Sequence, residues 1–212
     1  MIIMTEFWPE LLTKASWEKL QKLKKEIKDF VVIGGWAVYL WTGMHKSKDI
    51  DIIVDFKTLN KFKQNYDLGK NPQLRKYEIK LEKFDIDIYV PYFSKFIIPA
   101  TDVMKKVSSI QGFTVPEVEI LLVLKQSAEI DRKGSIKGEK DAIDIITLLS
   151  KANFEKKKYF RILKAYNILN YAGELERLLK EFNPKNSEHV GMGFKEFQNW
   201  KRNILRELRH SN

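Results

Sequence analysis

The sequence predicts an α+β fold, a mixed sheet flanked by helices with a helical carboxy-terminal portion. Three observations predict it. Short strand-like runs at 30–33, 49–55, 75–81 and 84–90 are interleaved with helical segments in the first half of the chain. One of these strands stops at Gly34-Gly35, where a helix begins. Beyond residue 116 apolar residues recur at helical spacing only, so strands and helices are segregated along the chain.

Each element follows from its own pattern. Trp8, Leu12, Leu20, Leu23, Ile27 and Phe30 recur at helical spacing and predict one or two amphipathic helices before residue 29, with Ser16 as a candidate cap of the second. Residues 30–33 read as a buried strand, and Trp36 to Trp41 as a short apolar helix closing near Gly43. Residues 49–55 alternate Asp and apolar residues, as a half-buried strand does. A helix over 57–66 follows, then strands over 75–81 and 84–90 joined at Glu82-Lys83. Ile97 and Ile98 extend the sheet or lie in a loop. Pro116 suits the first turn of a long apolar helix over 117–130. A polar connection at 132–138 leads to a helix over 140–149, then to lysine-rich helices broken near Asn183-Pro184, the last over 194–208. The chain therefore divides into an α/β core over 1–115 and a helical region over 116–212.

Composition narrows the function classes. A hydrophobic fraction of 44% in 212 residues supports a real core and excludes disorder. The absence of cysteine excludes disulfides, thiolate metal sites and a cysteine nucleophile. No stretch reaches the roughly 18–20 apolar residues of a membrane span, and the start of the sequence, acidic at Glu6, lacks the marks of a signal peptide. The expectation is a soluble cytoplasmic protein with no membrane partner. The net charge of +10 draws phosphate-rich partners, or simply coats the surface with solvated lysine.

The chemistry-bearing residues cluster in the first half. Glycines at a strand-to-helix junction let a ligand approach the backbone, and N–H groups at a helix start suit a phosphate; a plain turn is the other reading of Gly34-Gly35. Asp49 and Asp51, two apart on a strand, share one face. Paired carboxylates repel unless a cation sits between them, and Mg²⁺ takes such hard oxygen ligands together with substrate phosphates. A solvated strand face explains the same alternation. Asp85-Ile86-Asp87 repeats the pattern, and alternation cannot choose between its two aspartates.

In order, these segments, VVIGGWAVYLWTGMHKSKDIDIIVD and KFDIDIYVP, resemble the nucleotidyltransferase superfamily of DNA polymerase β. The likeness is closer to its small prokaryotic members, the AbiEii-type toxin nucleotidyltransferases and related archaeal proteins. Their Glu-x-Leu-Leu-x-x-Lys helix, arginine and Lys-Asp-x-x-Asp-Ile helix correspond to Glu119, Leu121, Leu122, Lys125, Arg132, Lys140, Asp141, Asp144 and Ile145. The likeness covers about residues 30–150.

The resemblance implies a palm-like mixed sheet, with 1–115 as the catalytic core. It also implies transfer of a nucleoside monophosphate from an NTP such as ATP to an acceptor hydroxyl. It makes Asp49, Asp51 and Asp87 the metal-binding and catalytic carboxylates, holding Mg²⁺, two ions when nucleotide is bound. Gly34, Gly35, Ser47, Lys48, Lys125 and Lys140 become the nucleotide-binding residues. Lys125 otherwise reads as a solvated helix lysine, and Lys140 as the partner of a nearby acid. The acceptor would be RNA such as tRNA, a protein or a small molecule, and a toxin form would have an antitoxin partner. An inactive relative that binds RNA or protein through its basic helices is the alternative. Two departures stand out. His45-Lys46-Ser47-Lys48-Asp49 replaces the Arg-x-Thr-Lys-Asp of many relatives, and Gly35 replaces their serine.

Other motifs read more plainly. His45, His189 and His210 lack metal-ligand spacing and read as surface residues. Trp36 and Trp41 stack a base or fill the core. Tyr159, Tyr166 and Tyr171, among lysines and arginines, grip RNA or belong to a helical bundle with a basic exterior. Trp200, Ile204 and Leu208 face the core or a partner.

Overall fold

The computed structural model describes residues 7–209. A single helix, α1 (Glu10–Glu26), buries Thr13, Ser16, Leu20 and Leu23, a stripe at three- and four-residue spacing. Ser16 does not cap a helix. It sits inside α1, where its Oγ accepts a 2.9 Å hydrogen bond from the indole N–H of the fully buried Trp36. The aspects of the sequence start that concern residues 1–6 lie outside the described residues, as does His210.

Strand β1 (Val31–Ile33) is buried throughout and leads directly into α2 (Gly34–Thr42). α2 closes at Gly43 in the left-handed region (φ 70°), whose N–H donates to the Tyr39 carbonyl. β2 (Ile50–Ile53) follows, and then α3 (Phe56–Asn65), capped by Asp55, which accepts from the Thr58 amide at 2.7 Å. β3 (Gly69–Asn71), β4 (Lys76–Lys80) and β5 (Asp85–Tyr89) form a meander. A short helix α4 (Ala100–Val103) precedes the hairpin β6 (Val107–Ile110) and β7 (Phe113–Pro116). Ile97 and Ile98 lie in the loop before α4, not in a strand. Pro116 ends β7 instead of starting a helix.

The second half comprises α5 (Val118–Asp131), α6 (Ile136–Lys151), α7 (Lys156–Ala165), α8 (Asn170–Glu181), a 3-10 helix (Pro184–Val190) and α9 (Phe194–Arg209). Ser135 caps α6, accepting from the Gly138 amide. None of the described helices is long and apolar enough to cross a membrane.

The strands form one mixed sheet in the order β3-β4-β5-β2-β1-β7-β6. β1 runs antiparallel to β2 and parallel to β7, while β2 and β5 are parallel. Val31, Val32, Ile33, Ile50, Ile52, Ile53, Ile86 and Ile88 fill its centre, β-branched side chains suited to a pleated surface. α2 packs on β1 and β2 and also against α5 and α6, so the helical region rests on the sheet through α2. Buried apolar contacts run without interruption from Leu20 to Leu208.

The tyrosines of the helical region are structural. Tyr159 is fully buried and donates to Gln126 Oε1 at 2.9 Å, Tyr171 is buried, and Tyr166 donates to Asp102 Oδ2 at 3.1 Å. Trp36 packs against Trp17 and Tyr39, and the Trp41 indole N–H donates to the Pro116 carbonyl. Ile204 and Leu208 are buried and Trp200 packs against Phe197.

Ser16→Ala strands the Trp36 N–H in an apolar environment. The expected cost is about 1–3 kcal/mol of unfolding free energy in a urea titration. An unchanged denaturation midpoint would contradict the role given to Ser16.

Candidate active site

Strand register assembles the site. Ile33 lies opposite Asp51 across β1 and β2, and Asp51 lies opposite Asp87 across β2 and β5. The Gly34 that follows Ile33 therefore adjoins Asp51, and Asp51 adjoins Asp87. Asp49, just before β2, accepts a 3.3 Å hydrogen bond from the Asp85 amide. The Asp85 side chain turns to Lys80 at 2.7 Å and does not line the cleft, whereas Asp87 does. Side-chain exposure falls from 35% at Asp85 to 15% at Asp87.

The two glycines are required by space. Gly34 has φ 65°, and a Cβ there would stand 2.3 Å from Asp51 Oδ2. A Cβ on Gly35 would stand 2.6 Å from Ser47 Oγ. Ser47 in turn donates to the Asp49 carbonyl at 3.1 Å and so shapes the loop that delivers Asp49. No side chain caps the start of α2, so its first-turn N–H groups open beside the carboxylates.

These residues form the floor of a cleft of about 510 Å³. Its opposite wall comes from α5, α6 and the turn between them. Lys125 lies 2.7 Å from Asp144 and 3.1 Å from Asp141, Arg132 lies 2.7 Å from Asp141, and Lys140 pairs with Asp144. Lys125 is thus a buried ion-pair partner and not a solvated lysine; Lys140 is buried as well. Lys48 does not line the cleft. Lys76, Lys95, Lys137 and Arg132 do.

Of these, Lys76 had a legible signal. Alternation in Lys76-Tyr77-Glu78 places it on the face of Glu78, which pairs in register with Asp87. Lys95 and Lys137 are single exposed lysines with no sequence pattern to mark them.

The electrostatics are those of crowded acids. Burial, then repulsion from Asp87, pushes the Asp51 carboxyl up to about 7, with Asp49 adding and Lys125 and Arg132 opposing. Burial also raises Asp87, against the attraction of Lys76. Burial opposes ionisation of Asp144, but Lys125 and Lys140 outweigh it and hold this carboxyl below its ordinary value. Burial lowers Lys140, and Lys125 adds to that, while Asp144 opposes.

The donor set fits a hard divalent cation. Asp87 Oδ1 is buried with no hydrogen-bond partner, beside the half-buried carboxylate of Asp51. Among the described residues no three carboxylates or imidazoles make a complete metal cage. Mg²⁺ held by one or two carboxylates, substrate phosphates and water requires none. The histidines play no part in this. His45 is buried, not at the surface, because its loop tucks under the 3-10 helix and its Nε2 meets the His189 carbonyl.

The raised Asp51 gives a pH test. Between about pH 4 and 7 the unfolded chain has released a proton that folded Asp51 keeps, so metal-free stability falls as pH rises through that window. Denaturant titrations should show this slope in the wild type and a reduced one in Asp51→Asn. Equal slopes would refute the crowding of Asp51. Asp144→Asn leaves Lys125 and Lys140 short of a buried counter-charge and should cost about 3–5 kcal/mol.

The sequence matches no protein-family model and no curated protein. Solved structures do match. The JHP933 protein of Helicobacter pylori is 16% identical, with a TM-score of 0.54 over 95% of each chain. A presumptive nucleotidyltransferase of H. pylori is 17% identical, with a TM-score of 0.55 over 97% of this chain and 99% of that one. The chain has the mixed α+β fold of these two structures.

Proposed function

We propose that this chain is a divalent-cation-dependent nucleotidyltransferase. The observation that carries the reading is the register that sets Asp51 beside Asp87 and both beside the Gly34-Gly35 approach. Asp51 and Asp87, with Asp49 beside them in the cleft, would hold Mg²⁺ together with substrate phosphates and water, and the ion when bound would neutralise the triphosphate and favour ionisation of the acceptor hydroxyl.

The chain's own groups do the rest. The α2 N–H groups and the Gly34-Gly35 backbone seat phosphate oxygens. Arg132, Lys125 and Lys140 face the carboxylates across the cleft as fixed positive charge, and Lys95 and Lys137 stand at its rim. The acceptor oxygen attacks the α-phosphorus, the bond from that phosphorus to the β-phosphate oxygen breaks, and pyrophosphate leaves. The hydroxyl proton passes to one of the aspartates that line the cleft. Positioning and charge neutralisation supply most of the acceleration.

The acceptor classes are an RNA such as a tRNA end, a protein side chain or a small molecule. The cellular setting in this reading is the cytoplasm, in keeping with described helices that are too short or too polar to cross a membrane. A toxin held in check by an antitoxin partner is the biological setting suggested by the AbiEii-like motif order.

The test uses α-labelled NTPs, Mg²⁺ and total RNA or protein. Incorporation should fall at least about a hundredfold in Asp51→Asn and Asp87→Asn, the loss expected when one preorganised electrostatic group is removed. Binding of RNA or protein without incorporation, unchanged in both variants, would instead identify a non-catalytic binding protein.

A further inference from the structure

The cleft contains a buried cation that belongs neither to the glycine cradle nor to the helical wall. Lys76 opens β4 and is 8% exposed. Its Nζ donates to Asp87 Oδ2 at 2.6 Å and lies 3.4 Å from Glu78. Glu78 pairs in register with Asp87, so alternation brings Lys76 and both acids to one face of neighbouring strands. Lys76 lines the cleft with Asp49, Asp51 and Asp87. Burying an ammonium is costly unless it is paired, and two carboxylates pair this one. The result is asymmetric. Asp87 Oδ2 is held by Lys76, and Asp87 Oδ1 is buried without a partner.

We infer that Lys76 is a positioning residue that acts as a tethered cation, holding Asp87 by Oδ2 and reserving Oδ1 for a divalent ion. The inference rests on the nucleotidyltransferase reading above. It has a specific consequence for the number of ions. An unrestrained Asp87 presents two oxygens beside Asp49 and Asp51, enough negative charge to attract two divalent ions. With Lys76 in place, Asp87 Oδ2 is already occupied by a group that cannot leave, whose charge it shares with Glu78. The free protein then takes one divalent ion, and a second enters only with the phosphates of the nucleotide. Lys76 also keeps the Asp87 carboxylate in one orientation before substrate arrives, so that no reorganisation is needed on binding.

Manganese titration of the full chain, with free Mn²⁺ followed by electron paramagnetic resonance, tests this without any turnover. Without nucleotide, the wild type should bind one Mn²⁺ per chain. Lys76→Met and Lys76→Gln should bind a second, or bind the one at least tenfold more tightly. Lys76→Arg, which keeps the charge, should match the wild type.

Lys76→Gln keeps a polar side chain and covers the case in which Lys76→Met does not fold. Thermal unfolding of each variant checks that the chains compared are folded. A purely structural lysine would lower the melting temperature without changing Mn²⁺ binding. Wild-type stoichiometry and affinity in folded Lys76→Gln, with binding lost in Asp51→Asn, overturns the role of Lys76 and leaves the metal-dependent reading standing. Two Mn²⁺ per wild-type chain without nucleotide also overturns it. No Mn²⁺ bound by the wild type, with or without a non-hydrolysable ATP analogue, overturns both.

Discussion

The site depends on a repulsion. The parallel register of β2 and β5 sets Asp51 directly beside Asp87, and like charges opposite one another weaken a sheet. Both carboxylates are pushed above their ordinary range by burial, to which Asp87 adds repulsion at Asp51, and Asp49 and Asp85 add repulsion at Asp87. The apolar residues of the same strands offset that cost. Ile50, Ile52, Ile86 and Ile88 are fully buried around the two acids, so the strands cannot slip by one residue without turning this isoleucine set out of the core. The same alternation that secures the sheet therefore holds its least favourable pair in place.

The opposite wall follows a different logic. Lys125, Lys140, Arg132, Asp141 and Asp144 form a largely buried ionic cluster between α5 and α6. Buried ion pairs rarely exceed well-packed apolar residues in stability, because desolvation offsets the attraction. Stability alone is thus a weak reason for five charged groups at this seam. Their electrostatic reach supplies a better one, since Lys125 and Arg132 both act to restore the acidity of Asp51 across the cleft. The helical wall and the sheet floor are coupled through charge as well as through the packing of α2.

Much of this was legible in the sequence where local pattern and chemistry agree. Gly34-Gly35 after three buried residues marked the strand-to-helix junction, and Asp-Ile alternation marked β2 and β5. Choosing between Asp85 and Asp87 required the register, which depends on the neighbouring strand. β6 and β7 were missed because Val107-Ser108-Ser109-Ile110 is too polar and short to stand out, and because Pro116 mimics a helix start. Ser16 and His45 were misread for a common reason. Their partners, Trp36 and the His189 carbonyl, are distant in the chain, and a polar residue with a distant partner looks exposed until that partner is known. For Lys125 the sequence left a nucleotide-binding lysine and a solvated one side by side, and neither reading included its ion pairs, since its acids lie on the next helix.

The continuity of the core bears on how substrate reaches the carboxylates. Buried apolar contacts join α2 to both the sheet and the α5–α6 pair, so floor and wall cannot separate as rigid bodies without exposing that surface. At about 25 cal/mol per Å², even a few hundred Å² of exposed apolar area costs several kcal/mol, a large fraction of the stability of an ordinary domain. Opening by domain separation is therefore the expensive route. The cheaper one runs through rim side chains that are already solvated. Leu74, Lys95 and Lys137 are exposed where they border the cleft, and rearranging them breaks no core packing. On the nucleotidyltransferase reading proposed above, capture of an anionic substrate then becomes a matter of long flexible cations at the entrance handing it to a rigid interior, where glycine backbone, buried lysines and paired aspartates are already in position.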